Sequence, residues 1–124
     1  MRTASQRAGD EAEAVAADQL VAHGWQILAR QLRVGRAEID ILAIDRGPPA
    51  ALVVVEVRWR ARRDFGLAEE TVDGRKRARL HHAAFALRDA GALPDGTPLP
   101  RLPLRFDLVV VEPGGRLRHH RHGA

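Results

Sequence analysis

No cysteine occurs in the 124 residues, which excludes disulfides, thiolate nucleophiles and thiolate-held zinc. Any metal must sit on oxygen or imidazole. Long hydrophobic runs are missing too. The longest, Ala50 to Val55, has six residues, where a bilayer-spanning helix needs about 20. No apolar signal segment follows Met1 and Arg2, so the expectation is a soluble, cytoplasmic protein with no membrane partner. Aromatic residues are only 4% of the chain, too few for Trp59 and Phe65 to form a base-stacking platform. Glycine-rich phosphate loops of the Walker or dinucleotide type are absent. Lysine is nearly absent: Lys76 is the single one among 20 basic residues, the rest being arginine.

What is present has a globular balance, 45% apolar and 29% charged, in a length suited to one domain. The formal charge of +4 favours a polyanionic partner such as nucleic acid.

Hydrophobic periodicity divides the chain. From about Ser5 to His23 the pattern is helical, with Ala12, Ala16 and Leu20 recurring every four residues, Val15 beside them and Gly24 as the stop. Glu13 borders the inward face of this helix, as a solvated flank residue or as a group aimed at something inside. Trp25 to Arg33 and Ala37 to Ile44 alternate as strands, the second with Ile39 and Ile41 on one face and Glu38 and Asp40 on the other. The turn Arg46-Gly47-Pro48-Pro49 separates it from a third strand, Ala51 to Trp59. In that strand Leu52 to Val55 reads as covered on both faces, and Glu56 interrupts the apolar run. Asp73 can cap a helix from Gly74 to Ala90 that buries Leu80, Ala83, Ala84 and Leu87 and stops at Gly91. A proline-rich loop leads to a last strand, Leu104 to Val111. The expected order is α-β-β-β-α-β: an α/β protein with a mixed sheet flanked by helices. Residues 1–113 would form the domain, and 114–124 a polar His/Arg-rich tail that adds a short edge strand or frays. His119, His120 and His122 alternate with arginines there, a poor setting for a metal site.

If the second and third strands form a hairpin centred on Pro48, paired residue numbers sum to 96, which puts Asp40 opposite Glu56 and Glu38 opposite Arg58. Two carboxylates about 5 Å apart in a partly dry setting repel. A divalent cation, a shared proton or an arginine clamp relieves that repulsion. A cation held by one or two carboxylates retains water, and such water suits phosphodiester hydrolysis. The basic residues around the pair, Arg58, Arg60, Arg62, Arg63, Arg75, Lys76, Arg77 and Arg79, either anchor a phosphate backbone or form a solvated basic surface.

Glu38-Ile39-Asp40, Val55-Glu56-Val57-Arg58, Phe65-Gly66, Val72-Asp73, Arg75-Lys76-Arg77, Leu80 and Arg105-Phe106-Asp107 follow one another in an order and spacing that resembles the YraN-like family of small predicted bacterial endonucleases. Glu13, Ala16, Leu20, Gly24-Trp25 and Ile27-Leu28 are similar to that family's opening helix and strand. The resemblance implies a restriction-endonuclease-like fold of the PD-(D/E)XK type with a metal-dependent nuclease site. By position it makes Asp40 and Glu56 ligands of Mg²⁺ or Mn²⁺. Glu13 becomes the helix carboxylate facing the site, and Glu38 a supporting acid. Ala37 stands where the family usually has glycine, and Arg58 where it usually has lysine. The second departure bears on chemistry, because arginine supplies charge and hydrogen bonds but stays protonated, whereas lysine can also release a proton.

Three functions remain open on sequence. The first is a metal-dependent endonuclease on DNA, branched or single-stranded forms included, with Asp40, Glu56, Arg58 and Glu13 in the catalytic site and Arg60, Arg62, Arg63, Arg75, Lys76 and Arg79 on the backbone. The second is a nucleic-acid-binding module weakened or silenced by Arg58. The third is an interaction domain for a DNA-processing protein partner. A symmetric homodimer would suit a two-strand cut.

Overall fold

Helix α1, Ala4–Ala22, opens on Thr3, whose hydroxyl accepts from the Gln6 amide while the Gln6 side chain accepts from the Thr3 amide, satisfying two backbone donors reciprocally. A computed structural model describes residues 3–60 and 74–124, apart from the side chain of Ser5. The helix ends at His23, and Gly24 turns the chain at φ +86, a conformation that favours glycine. Its buried face carries Ala12, Glu13, Ala16, Ala17 and Leu20. Val15, expected beside the buried stripe, is instead 37% exposed: the 3.6-residue period carries the stripe through Ala17 on its other side.

The strands are β1 (Gln26–Val34), β2 (Ala37–Asp45), β3 (Ala51–Trp59), β4 (Leu104–Glu112) and β5 (Arg116–His120), and helix α2 (Gly74–Ala90) lies between β3 and β4. They form one mixed sheet in the order β1-β2-β3-β4-β5, with β3 and β4 parallel and every other neighbouring pair antiparallel. The segment containing α2 is the crossover that a parallel pair requires. The expected α/β architecture, a mixed sheet flanked by helices in the order α-β-β-β-α-β, is the one observed, with β5 added at the edge. Among the described residues no helix is long and apolar enough to cross a membrane.

Two hydrophobic layers cover the sheet. On one face Ala12, Ala16 and Leu20 of α1 pack with Trp25, Ile41, Val53, Val55 and Val109. On the other, Leu80, Ala84 and Leu87 of α2 pack with Leu42, Leu52, Val54, Leu108 and Val110. Successive residues of β3 thus enter opposite layers, and the doubly covered strand read from Leu52 to Val55 is borne out. All four expected α2 core positions are buried; Asp73, expected to cap that helix, lies outside the described residues.

The β2–β3 pairing runs from Asp45↔Ala51 to Ile41↔Val55, each pair summing to 96 as expected. There it stops. Strand β2 continues along β1, where Glu38 pairs with Arg33, so Glu38 does not face Arg58 as anticipated. Ile39 and Ile41 also fail to share a face: Ile41 joins the α1 layer and Ile39 the α2 layer. Gln31 has φ 50, and the ladder passes from Arg30↔Ile41 to Leu32↔Ile39 around it, so strict alternation breaks next to Asp40.

Candidate active site

Asp40 sits where β2 parts from β3. Its Oδ2 accepts a 2.9 Å hydrogen bond from the Val57 amide, a donor the shortened ladder leaves to a side chain. Glu56 lies one residue earlier on β3 and is 3% exposed. The two carboxyl groups meet. Burial, the Glu56 charge, a hydrogen bond with Glu56 and the more distant Glu13 charge raise the Asp40 carboxyl, against the lowering Val57 hydrogen bond, to about 7 from an ordinary 3.8. In its protonated form Asp40 can donate to Glu56, one of the three ways of relieving the repulsion that sequence left open.

The second relief comes from α2. Lys76 Nζ lies 2.7 Å from Glu56 Oε1, and Arg58 reaches the same oxygen at 3.5 Å through a terminal guanidinium nitrogen. Lys76 was expected only as a backbone anchor; the fold brings its ammonium to the acidic pair. The available signal was its solitude, one lysine retained in a chain that otherwise uses arginine. Which helix turn would face Glu56, however, depends on the crossover geometry.

Glu13 is 6% exposed, which removes the solvated-flank alternative. Burial raises its carboxyl, partly offset by Arg30, whose Nε lies 3.2 Å from Glu13 Oε1. Glu13 and Asp40 line one depression of about 450 Å³ on the α1 side, with Gln31 and Asp10 at its margin. A second depression, about 440 Å³ on the α2 side, is lined by Asp40, Lys76, Arg36 and Arg79. Asp40 and Glu38 border both, so Asp40 is approachable from either face at the gap between β2 and β3, while Glu56 lies buried behind it. Glu38 itself is exposed, 3.9 Å from Arg33.

Among the other expected backbone anchors, Arg79 lines the α2-side depression, and Arg75 is exposed on the first turn of α2. The Arg60 amide closes the sheet by donating to Val111 O, while Arg62 and Arg63 lie outside the described residues. No group of three or more His, Asp or Glu side chains poised to hold a metal occurs among the described residues. An Asp/Glu pair still fits a hard cation that keeps much of its hydration, for which one or two carboxylates suffice. Burial is the larger cause of the raised Asp40 carboxyl and the Glu56 charge the next, and a cation bound to the pair would act against both.

The family model described as "Uncharacterised protein family UPF0102" matches residues 12–111. The chain belongs to this family. The YraN-like resemblance read from the motifs is thereby borne out. A UPF0102 protein of Symbiobacterium thermophilum is 42% identical over 117 residues, 92% of this chain and 91% of that one. One from Roseiflexus castenholzii is 43% identical over 110 residues, covering 89% and 82% of the two chains. Among solved structures, Pyrococcus furiosus SfsA in complex with Ca²⁺ aligns with a TM-score of 0.35 at 15% identity, over 94% of this chain and 63% of that one. The UPF0102 match takes in Glu13, Asp40, Glu56 and Lys76 and ends before β5.

A second polar cluster in this UPF0102 chain escaped sequence reasoning as a unit. Asp107, fully buried, accepts two 2.9 Å hydrogen bonds from Arg105 and one from the His122 amide, with His119 Nε2 at 2.8 Å. Burial alone would raise this carboxyl. The bonds from His119, Arg105 and His122 outweigh it and hold it at about 2. The cluster fastens β5 to β4, so of the two tail alternatives the edge strand is realised. His119 pairs with an aspartate.

Proposed function

We propose that this UPF0102 protein is a divalent-cation-dependent endonuclease that hydrolyses phosphodiester bonds in DNA. The observation that carries the reading is the buried Asp40–Glu56 pair, bordered by Lys76 and Arg58, with Asp40 reached from solvent at the gap between strands. Asp40 and Glu56 would hold Mg²⁺ or Mn²⁺ once the Asp40 proton leaves. Bound there, the cation would lower the proton affinity of water and offset charge developing on a phosphoryl oxygen.

The chain's own groups do the rest. Lys76 Nζ supplies an ammonium beside Glu56 Oε1 that can donate to a phosphate oxygen or orient the attacking water. This is the function that Arg58, permanently protonated, supplies only as charge. Glu13 adds negative charge from the α1 side and strengthens the preference for a cation. Arg79 offers a phosphate contact at the edge of the same depression.

The 2.7 Å Lys76–Glu56 ion pair also favours a second reading, in which the ammonium stands permanently in place of a cation and the protein binds nucleic acid without cutting it. Purified protein incubated with linear, single-stranded and four-way-junction DNA, with Mg²⁺, with Mn²⁺ and with chelator, separates the two. Metal-dependent cleavage lost in Asp40→Asn and Glu56→Gln supports the nuclease. Salt-sensitive binding with no cleavage under any condition supports the binding module.

A further inference from the structure

The α2-side depression does not end at Arg79. Over Arg36, Ala37 and Arg79 it continues into a trough of about 560 Å³ between the β1–β2 turn and the outer face of α2. Its walls are Val34, Ala78, Ala83 and Ala86, and its polar side chains are Arg36, Arg79 and His82. Among the described residues neither Arg36 nor Arg79 has an ion-pair or hydrogen-bond partner. The trough is therefore an apolar slot with two guanidinium groups, unpaired among the described residues, between it and Asp40.

This combination selects its occupant. A phosphate in the apolar part would lose hydration without gaining hydrogen bonds, and a duplex keeps its base faces stacked inside. A strand with an unpaired base meets both requirements: the flat apolar face enters the slot while flanking phosphates lie on Arg36 and Arg79. Small alanine side chains leave room for it without any aromatic platform. We propose that the trough takes an unpaired nucleobase of the substrate strand, so that the protein selects single-stranded segments or flaps over continuous duplex. The inference rests on the nuclease reading for where the strand leads, but its test does not require cleavage.

Ala78→Gln and Ala86→Gln fill the slot from exposed helical positions without changing charge, and glutamine is well tolerated in helices. Fluorescence anisotropy in chelator compares a labelled single-stranded oligonucleotide with the blunt duplex of the same sequence, alongside circular dichroism to verify folding. The expected result is tighter wild-type binding to the single strand and about a tenfold loss of that binding in the double variant, the scale of losing the buried apolar face of one base, with duplex binding changed less than about twofold. Equal wild-type affinity for both forms, or equal weakening of both by the variant, overturns the slot, as does absence of single-strand binding. The nuclease reading fails separately, by absence of metal-dependent cleavage on every substrate.

Discussion

Replacing Asp40 with asparagine should stabilise the metal-free protein at alkaline pH while removing its response to divalent cations. Asparagine can still accept the Val57 hydrogen bond that Asp40 receives at 2.9 Å, but it carries no charge beside Glu56. The sign follows from the proton. Because the folded-state value is about 7 against 3.8 for an ordinary aspartate, the folded protein keeps a proton that the unfolded chain has released. Stability from the protonated form is complete below 3.8 and is lost as pH rises toward 7. At about 1.36 kcal/mol per tenfold change in proton affinity, the loss is slightly above about 4 kcal/mol. Water reaching the site through the two depressions brings the expected value to about 2 to 4 kcal/mol. Urea denaturation in chelator should give wild type and Asp40→Asn nearly equal stability at about pH 4 and a more stable variant at about pH 8.5. Adding Mg²⁺ at the higher pH should then stabilise wild type alone, through binding to the folded state. Parallel pH profiles for the two proteins would refute the claim that these carboxyl groups share a costly site.

Lys76→Ala should lower the cleavage rate constant by about 10²-fold or more, with substrate affinity changed by less than about threefold. Lys76→Arg should not restore it, Arg58→Lys should recover part of it, and an unchanged kcat in Lys76→Ala sinks the assignment. Asp107→Asn should cost about 3 kcal/mol in urea denaturation, because Arg105 loses a fully buried charged partner and keeps only Asp45, 3.0 Å away. The Asp107 contribution is present above 3.8 and lost as pH falls toward 2, so the variant's stability should fall less steeply than wild type's over that acid range.

Where side-chain pattern and turn chemistry agree, the fold was legible. Two prolines after Gly47 and a β-branched run after Ala50 sufficed to set the β2–β3 register, and the spacing of Leu80, Ala83, Ala84 and Leu87 set the buried face of α2. Three features were not legible, for different reasons. The separation of Ile39 from Ile41 depends on the backbone at Gln31, in a neighbouring strand. The arrival of Lys76 at Glu56 depends on how the α2 crossover lies over the sheet. The docking of β5 depends on His119 and the His122 amide finding Asp107, which sequence places twelve or more residues away with no periodic link.

The candidate site exists because the sheet is imperfect at one point. Were β2 to follow β3 beyond Ile41, the Val57 amide would bond to a strand carbonyl and Asp40 would be one more side chain on a closed surface. Instead β2 stays with β1, and the gap leaves a backbone donor that needs an acceptor. Asp40 meets that need, and the same hydrogen bond holds its carboxyl against Glu56. One side chain thus repairs the ladder and builds the charge pair. The repair also limits what can replace it: asparagine can keep the hydrogen bond and lose the charge, whereas alanine loses both. Asp40→Ala should accordingly combine the loss of cation response with exposure of an unpaired Val57 amide, so the asparagine variant isolates the site's chemistry from the sheet's integrity.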